Sequence, residues 1–530
     1  MSTARAQAAL NAAVAGTLAS IVVWLAPPGP DLAAHVYQLD VFVRHGFELW
    51  TNYWYAGRYT FVGYSLIYYP LAAVVGIKLL AVLSAAIATA AFTLIVRETW
   101  GEQTVWATRL FAVVTAASVI SAAYPYGLGL ALSLVALLAL ARGRTAVFAV
   151  FVALTLAASP LAFLFLLVFL FAVWASRLER GLTKPAAVVV PTCIAGVLLW
   201  RLFPDSGRFP FPSGELLAAL TFSAIGLGVS WRVERARILR ILFAAYGGLC
   251  LVAYFVPSEV GANVARLRFA AIPIAALTLS LRRWRPWPVT AIALGLACSW
   301  NLTPLAWSVA RSSTDPSAAK AYWQPAISFL HHSLPAGYRV EAVDTAGHWE
   351  AVYLTQAGVP IVRGWFRQDD FPQNELLYDA LGPRSYLHWL HRFGVRYVVL
   401  TTAPTDYSAR NEAKLLRSGT SGLRVVFRSA TTTIYGVPDP TSIITGPHAP
   451  HVVALTQTKI ALDVNAPGRY RLAVRYSPYF AAKGACLVKR KDGMTELVVT
   501  RAGHVRLAFA VTPKRALDAL AGSSTTCDER

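Results

Sequence analysis

The sequence predicts a mainly α-helical polytopic membrane protein, with an α/β part and a small β-sandwich following its apolar spans. Three observations carry this expectation. Hydrophobic residues make up 56% of the 530-residue chain. Before residue 310 they gather in runs that reach the roughly 20 residues a helix needs to cross a bilayer. After Arg311 the pattern changes to short alternating runs broken by turns.

Eleven spans are expected, at 8–26, 64–96, 106–122, 125–141, 146–158, 160–175, 186–203, 216–231, 239–256, 265–281 and 287–309. The first runs straight into Pro27–Pro28 without a small-residue cleavage site, so it reads as a retained span. The 64–96 run exceeds one helix, which makes 64–76 a re-entrant or interfacial piece before a helix near 77–96. Residues 146–175 are interrupted by Ser159–Pro160, where a hairpin or one long helix could form. Charge arbitrates. A hairpin there places 15 basic residues on one side of the membrane and only Arg44, Arg58 and Arg208 clearly on the other. By the positive-inside rule the N-terminus is then cytoplasmic, and the 27–63 loop and the tail are extracytoplasmic.

The net charge of +21 does not indicate nucleic acid, because no recognition motif accompanies it. The lipid bilayer is the expected partner, and the tail's excess of basic residues suits anionic headgroups or a phosphate-bearing donor.

The segment from Pro27 to Tyr69 is the largest polar insertion before residue 310 and holds Asp31, His35, Asp40, Arg44, His45, Glu48 and Arg58. As a helix from Asp31 to about His45, it places Leu32, Val36, Leu39 and Val43 on one apolar stripe, suited to a bilayer surface or a helix bundle. Asp31, His35 and Gln38 flank that stripe at i, i+4 and i+7. Asp40 and Arg44 stand on the other side and, four apart, are expected to pair. Asp31 follows Pro30, so it can cap the helix, serve chemistry, or do both. Trp50, Tyr53, Trp54 and Tyr55 suit either the headgroup level of a membrane or a site that handles a polar reactant.

Among the other outer loops, PSEVGANV carries Glu259 and leads into Arg266 and Arg268. Two arginines at i, i+2 do not share a helix face. They read either as a clamp on a lipid phosphate or as side chains snorkelling to the surface.

Beyond the spans, residues 311–440 read as an α/β domain, with strands at 338–345, 359–363, 395–401, 423–428 and 432–437 and helices at 317–333, 384–393 and 408–417. A turn-rich linker leads to 441–530, where period-two runs without a helix predict a β-sandwich, with the last fifteen residues loose unless Cys527 ties them down. Cys193, Cys250 and Cys298 fall in apolar spans. Cys486 and Cys527 are the only two in the tail and are expected to form a disulfide in an oxidising compartment.

Phosphate-binding, dinucleotide-binding, zinc-protease and nucleophile-elbow motifs are absent. No cofactor is certain from the sequence, and a divalent metal is an unfavoured option. Asp31 and His35 offer two ligands for a divalent metal without a third in view, and His388 with His391 suits an amphipathic helix better than a metal site.

The layout, with PDLAAHVYQLDVFVRHGFELWTNYWYAGRYT followed by YYPLA, resembles the GT-C superfamily of polytopic glycosyltransferases that use polyprenyl-phosphate sugars. That superfamily includes bacterial proteins labelled 6-pyruvoyl-tetrahydropterin-synthase-related. RGWFRQDDFPQNELLYD, YLHWLHRFGVRYVVL and TTTIYGV are similar to segments of their external domain, and the sandwich is similar to a carbohydrate-binding module. The resemblance implies that Asp31 matches the catalytic aspartate and acts as general base in an inverting transfer. The donor would be a polyprenyl-phosphate sugar of the arabinose or mannose class, and the acceptor a cell-envelope glycan or glycolipid. His35 and Gln38 would orient the substrate. Arg58, Arg266 or Arg268 would meet the leaving phosphate, and Glu259, Asp369 and Asp370 would contribute to binding. Arg-rich, Ala/Val-rich composition suggests an actinobacterium. A transport or assembly component, or a degenerate relative that binds lipid-linked sugar without transfer, is the rival expectation.

Overall fold

The computed structural model describes residues 3–176, 183–204 and 207–527. They form two compact units. One contains residues 1–32, 64–198 and 207–313; the other contains 33–63, 199–206 and 314–530.

The first unit is helical. Among the described residues, nine helical segments of 18 residues or more are apolar enough to cross a membrane, beginning with Thr3–Leu25 and ending with Trp287–Ser313. Two shorter apolar helices, Thr145–Ala158 and Pro160–Ser176, meet at Ser159, as the proline demands. Tyr68–Val75 is a separate short helix, divided from Ile77–Trp100 by Gly76. The seventh expected span, 186–203, corresponds to the helix Thr183–Leu202, and the loop residues 177–182 lie outside the described residues.

Small residues set the helix packing, as close approach between membrane helices requires. Ala8, Ala15 and Ala19 are buried along one face of Thr3–Leu25, which packs on Ile77–Trp100. On the same face Asn11 Nδ2 donates to Thr93 Oγ1 at 3.2 Å, a hydrogen bond that satisfies two polar groups within an apolar interface. Gly226 lets Ser213–Ser230 approach Arg237–Phe255, because a Cβ there would run into the Phe243 ring.

The second unit joins an α/β sheet to a β-sandwich. The sheet runs Arg339–Ala342, Val395–Thr401, Thr432–Gly436, Arg424–Arg428. Its first pair is parallel and the other two are antiparallel. Residues 359–363 make only a bridge through Ile361 to Val340 rather than a strand. The helix Glu350–Gln356, not expected from the sequence, fills the connection before it.

The sandwich has a five-stranded sheet containing Gly468–Arg475 and Met494–Val499 and a four-stranded sheet containing Lys459–Val464 and Gly503–Phe509. Leu462, Tyr470, Leu472, Leu487, Leu497 and Leu507 form its core. Residues up to Cys527 are tied down through that cysteine, although the helix before it was not expected. Pro513–Leu520 is a helix, and Thr525–Cys527 adds a strand to Ala485–Lys489. Cys486 and Cys527 are disulfide-bonded with their Cα atoms 4.2 Å apart. Closing a loop of that length constrains the unfolded chain by about 4 kcal/mol on the chain-entropy model.

The aromatic end of the first loop belongs to this unit. Trp50–Thr51 pairs with Arg58–Tyr59 in a short hairpin. Trp50 stacks on Phe509 with centroids 5.6 Å apart, and Trp54 donates to the Ala351 carbonyl at 3.1 Å. Trp50, Tyr53, Trp54 and Tyr55 are all buried. This corrects the expectation that they lie at a headgroup level or around a reactant: they are core residues.

Candidate active site

In the helical unit, Asp31 closes the turn that follows the first span. Its N–H donates to the Ser121 carbonyl at 3.2 Å, and the Leu32 N–H donates to the Gly29 carbonyl at 3.0 Å. Gly29 is the residue that allows this fit, because a Cβ there would collide with the carbonyl oxygen of Ile120. The backbone that carries Asp31 is therefore fixed against the 119–121 turn.

Arg266 meets Asp31 with Nη2 3.8 Å from Oδ2, a spacing longer than a hydrogen bond. Both side chains keep some solvent, 28% for Arg266 and 14% for Asp31. Arg266 Nε donates to Asn263 Oδ1 at 3.0 Å, and the guanidinium lies 6.0 Å from the centre of the Tyr126 ring. Tyr64 sits in the field of the pair. Burial, reinforced by the charge of Asp31, pushes its hydroxyl upward and keeps it protonated. Arg266 and Arg268 sit on a 3₁₀ segment, Gly261–Ala270, whose 3.0 residues per turn send them in different directions. Arg268 is buried and paired with Glu215 instead. Glu259 is half-buried in the preceding loop.

Arg266 also lines a cavity of about 140 Å³ together with Tyr124 and Ser118. Four of its wall residues, Phe111, Tyr126, Leu130 and Ala270, are also walls of a cavity of about 510 Å³. The larger one is lined almost wholly by aliphatic and aromatic side chains, among them Phe92, Leu134, Phe165, Ile274 and Leu277. Its size is that of a small-molecule pocket, roughly 300–1,000 Å³. A fixed carboxylate, a partly solvated cation and an apolar chamber thus stand in sequence within one unit.

The second unit holds the other sequence-designated residues, and it buries them. On Leu32–His45 the buried face carries His35 and Gln38, while Val43 of the apolar stripe is exposed. Asp40 and Arg44 pair at 2.9 Å. Arg58, expected to meet a phosphate, is 3% exposed. Its Nε donates to Asp369 at 2.6 Å and its guanidinium lies 4.0 Å from the Phe366 ring centre. Asp369 and Asp370, expected to contribute to binding, are buried as well. Asp370 accepts from Asn374 at 2.9 Å and from Tyr378 at 2.8 Å, and burial pushes its carboxyl upward. From the sequence these three are expected to meet substrate; the structure places them in the interior of the second unit, with Arg58 beside Asp369.

Sequence reading missed the centre of this network. Arg363 meets Glu341 and Glu412 at 2.7 Å and Asp344 at 2.9 Å, all of them buried. Burial works against the Arg363 charge, and the three carboxylates more than offset it. The signal was available in YRVEAVDT, where Arg339 and Glu341 interrupt a strand whose every position from Arg339 to Ala342 is buried.

No protein-family model and no curated protein matches the chain. Among solved structures it is similar to arabinofuranosyltransferase AftD from Mycobacteria, at 17% identity and a TM-score of 0.46, over 88% of this chain and 42% of that one. An AftD mutant gives 16% identity and a TM-score of 0.48, over 99% and 61%. The archaeal oligosaccharyltransferase AglB from Archaeoglobus fulgidus, in complex with an inhibitory peptide and a dolichol-phosphate, gives 14% and 0.36, over 74% and 69%. The chain thus spans less than two thirds of either AftD chain. All three TM-scores lie below 0.5, so what this chain does has to be read from its own residues.

The buried pair of Arg58 and Asp369 yields a direct test of its role. Arg58→Met leaves Asp369 uncompensated in the interior and should destabilise the second unit by about 3–5 kcal/mol. A thermal melt of the full-length protein should show this loss while binding of a polyprenyl-phosphate lipid is retained. An unchanged melt with lost lipid binding would return Arg58 to the substrate.

Proposed function

We propose that the chain is a membrane glycosyltransferase that moves a sugar from a polyprenyl-phosphate donor to a glycan or glycolipid acceptor. The observation that carries this reading is the Asp31–Arg266 pair, 3.8 Å apart, with Arg266 on the wall of a cavity that shares four residues with the apolar chamber. A lipid-linked sugar has the same two parts in the same order: a hydrocarbon chain and an anionic phosphate bearing the sugar.

The chamber suits the prenyl chain, which gains by leaving water. Arg266 suits the phosphate, whose charge grows as the bond to the sugar breaks, and a preorganised cation beside low-dielectric walls stabilises that growth. Asp31, with its backbone fixed by Ser121 and Gly29, suits the acceptor hydroxyl. It removes the proton as the oxygen attacks the anomeric carbon from the face opposite the phosphate, and the transfer inverts. One carboxylate suffices, because the phosphate needs no proton to leave. The loose pairing also fits the chemistry, since a phosphate entering beside Arg266 does not have to break a tight hydrogen bond. The sugar class we assign is arabinose or mannose, with a cell-envelope acceptor.

Asp31→Asn keeps the size and most of the capping ability of the side chain. It should cost about 10²–10⁴ in transfer rate while lipid binding and melting temperature stay near those of the parent. Asp40→Asn, which removes only an exposed-edge pair with Arg44, should leave the rate within about twofold. Near-normal transfer by a well-folded Asp31→Asn protein would reduce Asp31 to a cap. A parent protein that binds the donor yet transfers nothing to any acceptor would support the binding-only reading.

The proposed orientation places the N-terminus in the cytoplasm and the second unit outside. A periplasm-active reporter fused after Arg311 should be active, and one fused at Arg235 inactive. The reverse pattern would remove the extracytoplasmic site.

A further inference from the structure

We propose that Asp344, His348 and Glu350 form a site for one divalent cation of the Zn²⁺ or Mn²⁺ type inside the second unit. The three residues fall within seven positions, between the strand Arg339–Ala342 and the helix Glu350–Gln356. The chain turns sharply there: His348 N–H donates to the Thr345 carbonyl at 3.1 Å, and His348 itself has a left-handed backbone with φ of 54°. This turn brings one ligand atom from each residue to within 4.8 Å of the others, and all three side chains are buried.

The spacings suit a shared ion. His348 Nδ1 lies 3.5 Å from Glu350 Oε1 and 4.0 Å from Asp344 Oδ1. These distances exceed the 2.7–3.2 Å of a good N–H to oxygen hydrogen bond. They match what two ligands held at about 2.1 Å from one centre subtend at tetrahedral or wider angles. One imidazole nitrogen with two carboxylates is a donor set for Zn²⁺ or Mn²⁺, whereas Ca²⁺ and Mg²⁺ favour oxygen alone.

A second observation points to a ligand independently. Glu350 is 1% exposed, and its Oε1, aimed at the cluster, has no hydrogen-bond partner among the described residues. Its other oxygen accepts from Thr345 Oγ1 at 2.7 Å, so the carboxylate is held in place with one oxygen left for something else. A buried carboxylate oxygen in that state is costly unless a cation meets it. Charge around the cluster leans the same way. Arg363 meets Asp344 but is shared with Glu341 and Glu412. Arg367 Nη2 donates to Asp406 at 2.8 Å and also lies 3.3 Å from His348 Nε2, on the edge of the imidazole away from the cluster. His348 Nε2 also lies 3.9 Å from Asp406 Oδ2, so the ring is held on that edge while Nδ1 faces the cluster. The cation would tie the first turn of Glu350–Gln356 to the sheet, a role in stability away from the transfer chemistry.

The test uses the full-length protein in detergent. Metal content by plasma mass spectrometry should give close to one equivalent of zinc or manganese per chain. Stripping with a chelator should lower the melting temperature by about 5 °C or more, and adding back Zn²⁺ or Mn²⁺ should restore it. Glu350→Gln keeps the shape of the side chain and an acceptor for Thr345, and should weaken retention of the ion by at least about tenfold. Less than a tenth of an equivalent of any metal, with a melting temperature indifferent to chelator and to added ion, would overturn the site. So would parental metal content in Glu350→Gln. If that variant fails to fold, the stripping and add-back of the parent protein decide alone.

Discussion

Arg363 draws three carboxylates to within 2.9 Å of its guanidinium in a place water does not reach, and the second unit is built around that arrangement. Burying a charge costs several kcal/mol unless it is matched and hydrogen-bonded. The match here comes from three separate stretches: Glu341 and Asp344 at the end of one strand, Glu412 on a helix, and Arg363 in a connection. Tyr386 adds a hydrogen bond to Glu412 at 2.6 Å, which brings in a fourth stretch, the helix Pro383–Phe393. Such a network stands only when all its members are in place, so it specifies one arrangement of strand, helix and loop rather than merely adding stability. Its neighbours repeat the rule. Arg58 closes on Asp369, and Arg367 closes on Asp406.

The helical unit obeys the same constraint with a different outcome. Arg268, buried, is tied to Glu215, and Asn11 is tied to Thr93. Asp31 and Arg266 stand apart at 3.8 Å and keep some contact with solvent. The pair is looser than the Arg268–Glu215 and Asn11–Thr93 contacts, and Arg266 lines a cavity that shares walls with the apolar chamber.

Much of this was legible from residue order alone. Hydropathy runs marked the apolar helices, Ser159–Pro160 marked a break, and Gly76 separated the short helix before Ile77. Asp31 and Arg266 were both visible as polar residues at the ends of spans, and their meeting is a tertiary fact that no local pattern holds. The misreadings have one cause. Trp50, Tyr53, Trp54 and Tyr55 beside a membrane span, and Arg58 and Asp369 in polar segments, were judged by the company they keep along the chain, where such residues meet headgroups, water or substrate. Their partners lie about 300 positions or more away, at Asp369 for Arg58, Ala351 for Trp54 and Phe509 for Trp50. Period-two alternation identified the sandwich strands, but the helix Pro513–Leu520 was too short and too polar to register.

The central claim is that the loose pair and the apolar chamber together receive a lipid-linked phosphate. The most direct measurement is a cryo-electron microscopy structure of the full-length protein with a polyprenyl phosphate bound. The account predicts phosphate oxygens within hydrogen-bonding distance of Arg266, the prenyl chain in the cavity lined by Phe92, Phe165 and Ile274, and the Asp31 carboxylate facing the side from which an acceptor would come. A phosphate bound elsewhere, with the Asp31–Arg266 pair closed and the chamber empty, would contradict it.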